Sequence, residues 1–399
     1  MAAGTFDEGH DGRDTIQRRK MLTKKRYLIA LFAVLAMLIA ACGPADEGTD
    51  TTEATGTTQE SPDTTDGSTD TTAVSGEDIT VGVSWNNFNE PRWANFDKPA
   101  IIEALDAAGA QYIESDAGSS AEQQLTDVEN LISQGADVLI ILAQDGTAIL
   151  PAVENALDQG IPVIAYDRLI ENPEALYITF DNIGVGTLMA EVIYGLVPEG
   201  NYVVIKGNQA DANADFLREG MDVIIGDPVA SGDITIVCEE YTDNWDGAIA
   251  QTTMEQCLTD NNDDIDAALV ENDGMASGVV AALAAVGLDG QIPVSGQDGD
   301  TAALNRVALG TQTVSVWKDA RLLGQAAGEA AVQLAQGAAL GDVSGVIDFE
   351  SPGGNTMTTI LLDPTPITQE NLNLVLDAGW IDDATLCQNV EAGSVAACP

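Results

Sequence analysis

VLIILAQDGTAILPAVENALDQGIPVIAYDR, residues 138–168, decides the fold. Val138 to Leu142 is an unbroken aliphatic run, a helix-period stretch follows as far as Gln159-Gly160, and Ile161 to Tyr166 is apolar again. A strand with no polar alternation has both faces buried, and that is the signature of a parallel sheet with helices packed on each side. The same unit repeats upstream. Ile79 to Ser84 reads as a strand, a helix runs through Ile101, Ile102 and Leu105 to the stop signal Ala108-Gly109, Gln111 to Glu114 is a second strand, and another helix ends at Gln134-Gly135. Downstream the cadence restarts at Tyr202-Val203-Val204-Ile205, Ile234 to Val237, Ala267 to Val270 and Ile292 to Ser295. About three hundred residues exceed one compact core. The sequence therefore predicts an α/β fold of two doubly wound parallel-sheet lobes, with a cleft at the carboxyl ends of the strands.

The N-terminal part is of another kind. Arg18 to Arg26 is basic, Leu28 to Ala41 is apolar and too short to span a bilayer comfortably, and Ile39-Ala40-Ala41-Cys42 sets small residues before a cysteine. This motif resembles a bacterial lipobox, which makes residues 1–41 a lipoprotein signal peptide and Cys42 the lipidated N-terminus of the mature chain; Met21 opens an equally good signal. Two acyl chains suffice for stable anchoring. Residues 42–78 are rich in Thr, Ser, Asp, Glu and Gly, with Val74 the only branched aliphatic between Gly43 and Asp78. Such a segment cannot bury enough surface to fold, and it reads as a flexible tether with a reach of about 30 Å.

Charge narrows the function. The chain has 15 Lys+Arg against 64 Asp+Glu, a net charge of −49. After Cys42 the only cations are Arg92, Lys98, Arg168, Lys206, Arg218, Arg306, Lys318 and Arg321. So acidic a surface repels nucleic acid and suits a salt-rich medium. The single histidine, His10, precedes the lipobox, so the exported part has no imidazole base or ligand. Gly184-Val185-Gly186 lacks the third glycine and the strand-to-helix context of a dinucleotide turn, and there is no Walker loop. No cofactor is expected. Asp260, Asn262, Asp264, Asp266 and Glu271 have calcium-loop spacing, but Ile265 stands where the sharp turn needs glycine, which favours a solvated turn. Cys238, Cys257, Cys387 and Cys398 form an even set in an oxidising compartment. Local pairs 238–257 and 387–398 are expected, against two other connectivities.

Polar residues gather after the strands, at Asn86-Asn87, Gln144-Asp145, Asp167-Arg168, Asp181-Asn182, Asn208 to Asn213, Asp243 to Trp245, Asn272-Asp273 and Gln297-Asp298. The segments Glu90-Pro91-Arg92-Trp93, Ala165-Tyr166-Asp167-Arg168, Phe180-Asp181-Asn182, Glu199-Gly200-Asn201-Tyr202, Asn272-Asp273, Ser295-Gly296-Gln297-Asp298 and Gly310-Thr311-Gln312-Thr313 occur in this order. Together they resemble the xylose-binding members of the sugar-binding proteins of bacterial ABC importers, over residues 79 to 375. The resemblance implies a type I periplasmic-binding-protein fold whose lobes, joined by hinge strands, close on a sugar. It implies an N-terminal lobe of 79–181 plus 319–345, a C-terminal lobe of 182–318 plus 346–385, and a disulfide-pinned tail of 386–399. The implied ligand contacts are Arg92, Trp93, Asp167, Arg168, Asp181, Asn213, Trp245, Asn272, Asp298 and Lys318. Charged groups make the stronger hydrogen bonds to hydroxyls, and an indole covers the C–H face of a pyranose.

The resemblance further implies a monosaccharide ligand, an ABC permease with its cytoplasmic ATPase as partner, and a monomer held by its lipid anchor on the outer face of the membrane, without enzymatic activity. Asn86-Asn87, Pro91 and Asp211-Ala212-Asn213 depart from the xylose-binding pattern, so glucose, galactose or arabinose remain beside xylose. A sugar or autoinducer sensor of the same fold is the alternative, and a secreted glycoside hydrolase a lesser one, since no ordered acid and base pair stands out.

Overall fold

The computed structural model describes residues 78–399. The signal peptide, Cys42 and all but the last residue of the tether lie outside them.

The first lobe is built on β1 (Thr80–Trp85), β2 (Gln111–Asp116), β3 (Val138–Ile141), β4 (Val163–Tyr166) and β5 (Leu176–Phe180). Every residue of β3, β4 and β5 is buried, as a strand covered on both faces must be. The second lobe carries β6 (Gly200–Lys206), β7 (Ile234–Tyr241), β8 (Ala267–Val270), β9 (Gln297–Asp298) and β10 (Ser315–Trp317). The chain then returns through the helix Ala320–Ala335, which packs on the helix Lys98–Ala108 of the first lobe. It ends with β11 (Ile347–Glu350), β12 (Thr356–Leu362) and β13 (Thr365–Ile367).

The first sheet has seven strands in the order β11-β12-β5-β4-β3-β1-β2, parallel except for the edge strand β11. In the second lobe β7-β6-β8 and β13-β10-β9 are linked by a parallel bridge between Ala268 and Val294. Two differences from the sequence reading follow. Residues 346–385 do not all belong to the C-terminal lobe: β12 pairs with β5 from Thr359–Tyr177 to Leu362–Phe180, so β11 and β12 extend the first sheet and only β13 returns to the second. Ile292 to Ser295 is a single bridge rather than a strand. Pro293 there has no N–H for a ladder and only accepts, from Ala268.

Three segments therefore pass between the lobes: after β5, after β10 and between β12 and β13. Gly186, from the failed dinucleotide motif, and Gly220 have a packing role. The helices Asn182–Leu196 and Ala212–Ser231 meet so closely that a Cβ on Gly186 would lie 2.0 Å from the Leu217 carbonyl oxygen, and one on Gly220 2.1 Å from that of Ile183. Cys238 pairs with Cys257 and Cys387 with Cys398, with Cα separations of 5.9 and 5.5 Å. The calcium-like residues are used locally: Asp266 accepts from the Asn201 backbone, Asp264 from its side chain, and Glu271 from the Gly207 backbone. Among the described residues no helix is long and apolar enough to cross a membrane.

Candidate functional site

At the carboxyl end of a strand the backbone leaves the ladder, and its polar groups need other partners. Here those ends converge from both lobes. Glu90, Arg92 and Trp93 follow β1, and Asp167 and Arg168 follow β4. From the second lobe come Asp211 and Asn213 after β6, Trp245 after β7, Asn272 after β8, Gln297 and Asp298 in β9, and Lys318 after β10. These side chains line one narrow cavity.

Charge pairs bind its walls. Arg92 is gripped by Asp97 through Nε–Oδ2 at 3.1 Å and Nη2–Oδ1 at 2.8 Å, and it reaches Asp167 at 3.2 Å and, across the cleft, Asp298 at 3.3 Å. Lys318 Nζ lies 2.9 Å from the same Asp298 oxygen. Arg168 spans the lobes to Asp211 at 2.9 Å and also meets Glu90 at 3.5 Å. Asn213 donates to the Asp167 carbonyl at 3.1 Å, and Gln144 to Asn244 at 2.8 Å, again from lobe to lobe. Burial alone would raise the Asp298 carboxyl, but Lys318 and Arg92 outweigh it and hold Asp298 below the usual range. Burial pushes Asp211 up against the pull of Arg168, and Glu90 likewise. Burial also works to lower Arg92, yet Asp97 and Asp167 lift it well above its usual value, so its positive charge is fixed.

Backbone strain marks the same residues. Asp167 (φ 61°), Trp245 (φ 56°) and Asp298 (φ 98°) lie in the left-handed region that non-glycine residues avoid. At Asp298 the cause is visible. The following amides of Gly299 and Asp300 both donate to Asp273 Oδ2, at 3.1 and 3.0 Å, and so turn the chain. Asp273 is itself pushed up to about 7, chiefly by burial. Trp245 lies flat against Gly207, where a Cβ would come within 2.2 Å of its ring, and its Nε1 donates to Asp211 at 3.2 Å.

Nine of the ten expected contacts thus line one cavity: Arg92, Trp93, Asp167, Arg168, Asn213, Trp245, Asn272, Asp298 and Lys318. Asp181 does not. Its Oδ1 accepts from the Gly184 backbone at 2.9 Å, so it caps the helix Asn182–Leu196 at the crossing and is outside the cavity lining. Trp93 belongs both to the cavity and to the core of the first lobe, with Arg92 stacked 4.2 Å over its ring. Asn272 also caps its helix, accepting from Met275. The lining further includes Glu90, Asp211 and Gln297, which the resemblance did not single out. Glu90 and Gln297 stand in the same short segments as Arg92 and Asp298, and Asp211 in the polar cluster after β6, which was the available signal. No titratable group of the cavity is oriented by a histidine or a metal cluster among the described residues.

A family model described as a periplasmic binding protein domain matches residues 81–339. A D-xylose-binding periplasmic protein of Escherichia coli is 37% identical over 266 residues, 66% of this chain and 80% of the relative. One from Haemophilus influenzae is 34% identical over 301 residues, 74% of this chain and 88% of its own length. Among solved structures, an ABC transporter solute-binding protein of Clostridium phytofermentans with bound β-D-glucose superposes with a TM-score of 0.70 at 27% identity, covering 77% of this chain and 99% of that one. A carbohydrate transporter solute-binding protein of Chloroflexus aurantiacus in complex with D-glucose gives 0.70 at 28% identity, over 78% and 99%. With a matching domain model across most of its folded part, two lobes of the same architecture and relatives above 30% identity, this chain belongs to the periplasmic binding protein family.

Proposed function

We propose that this is an extracytoplasmic, lipid-anchored solute-binding protein that captures an aldose, D-xylose foremost, between its lobes and delivers it to an ABC permease driven by a cytoplasmic ATPase. The observation that carries the reading is the lining of the cavity: three cations, four carboxylates, amide side chains and two indoles converge on it from both lobes. That donor and acceptor mixture suits vicinal hydroxyls, and the indoles suit a pyranose C–H face. The D-xylose-binding names of the two curated relatives favour a pentose. No catalytic step is assigned; binding and closure are the function, and the protein acts as a monomer. Ligand would bind one lobe first, and the second lobe would then complete its hydrogen bonds, so that ligand selects the closed arrangement.

A thermal-shift screen over pentoses and hexoses tests the capture. One aldose should raise the apparent melting temperature, because ligand binds only the folded state. No shift with any of them would sink the assignment. The anchor is tested separately. Cys42→Ala should move the protein from the membrane fraction to the medium or periplasm, and retention in the membrane would argue against lipidation at Cys42.

A further inference from the structure

We propose that Asp97 is the positioning residue of Arg92, brought beneath it by a π turn in the first helix of the N-terminal lobe. The inference rests on the reading of the cleft as a sugar site. The helical segment that begins at Pro91 contains a π turn over Trp93–Asp97, closed by the Lys98 N–H on the Trp93 carbonyl. In an α-helix residues five apart point about 140° away from each other. A π turn closes i→i+5 bonds and returns them to one face, and such turns recur at functional sites.

The consequence is a fork. Asp97, fully buried, takes Nε and Nη2 of Arg92 with its two oxygens at 3.1 and 2.8 Å. Tyr166, the last residue of β4, donates to Asp97 Oδ1 at 2.6 Å and ties the mount to the strand that carries Asp167. Burial pushes the Asp97 carboxyl up and Arg92 pulls it back, and both oxygens receive donors, Arg92 on each and Tyr166 on Oδ1. Asp97 does not line the cavity. With one edge of the planar guanidinium held, Nη1 and the remaining Nη2 proton are aimed at the cleft, toward Asp298 and Asp167. A carboxylate buried at this cost, away from ligand, is accounted for by the geometry it imposes on Arg92.

The test is made on the full chain with D-xylose as probe. Asp97→Asn should weaken xylose binding by about tenfold or more in calorimetric titration, and Tyr166→Phe by less. In an Arg92→Gln background Asp97→Asn should cost less than about twofold, because Asp97 acts through Arg92. Exchange of the Arg92 Nε–H, followed by NMR without sugar, should be protected in the wild type and at least about tenfold faster in Asp97→Asn. Unchanged xylose affinity in Asp97→Asn, an equal loss in the Arg92→Gln background, or unchanged Nε–H exchange would each overturn the positioning role. A wild type that binds no aldose defeats the sugar reading alone, since the exchange measurement still decides how Arg92 is held.

Discussion

Trp245 and Asp298 carry the sharpest residue-scale expectations. Each has a left-handed backbone conformation, Trp245 with its indole packed on Gly207 and Asp298 in the turn whose following amides bond Asp273. Trp245→Ala removes the ring that would cover the sugar's apolar face, and a buried aromatic anchor is worth about 2–4 kcal/mol of binding. Asp298→Asn keeps the size of the side chain but removes the charge shared by Lys318 and Arg92. Both variants should lose the sugar-induced thermal shift while remaining folded by circular dichroism. A variant that keeps the full shift would remove that residue from the site. The eight cations of the exported part also resolve at this scale. Arg92, Arg168 and Lys318 face the cavity, Lys98 pairs with Glu114, Lys206 and Arg218 share Glu239, and Arg321 forks onto Asp319. Arg306 bonds Gln312 and the Asp273 carbonyl. Lys98, Lys206, Arg218 and Arg321 thus all stand in salt bridges outside the cavity.

At the scale of elements, the strands were legible and their partners only partly so. An apolar run such as Val138 to Leu142 is buried on both faces in any parallel sheet, so its type follows from composition alone. Residues 347–362 have no such mark. Ile347–Glu350 is largely exposed and Thr356–Leu362 mixed, and only pairing with β5 assigns them to the first lobe. The meeting of the helices Asn182–Leu196 and Ala212–Ser231 is likewise a tertiary fact with a local requirement. Gly220→Ala would drive a methyl against the Ile183 backbone, which cannot swing aside as a side chain can. Such overpacking costs about 1–3 kcal/mol, and the urea midpoint should fall accordingly with little change in slope. An unchanged midpoint would mean the helices can separate at that point without loss.

The whole molecule is governed by charge. A net charge of −49 stores self-repulsion that added salt relieves, since the screening length shrinks from about 10 Å at 0.1 M to about 3 Å at 1 M. The buried pairs that bridge the lobes, Arg168–Asp211 and Arg92–Asp298, are screened far less. The melting temperature should therefore rise between 10 mM and 1 M sodium chloride, read by scanning calorimetry in a buffer without strongly excluded ions. A fall would show that attractive surface pairs outweigh the repulsion. From the sequence came the expectation of two α/β lobes and of local cysteine pairs over two other connectivities, because strand periodicity and spacing are local properties of the chain, while nine of the side chains that line the cleft were reached through the family resemblance of its short motifs. Only the tertiary structure decided that Asp181 caps a helix while Glu90, Asp211 and Gln297 enter the cavity, that β11 and β12 join the first sheet, and that a π turn sets Asp97 under Arg92. Those outcomes depend on which groups meet across the fold and on how each buried polar atom finds its partner, and no spacing along the chain encodes them.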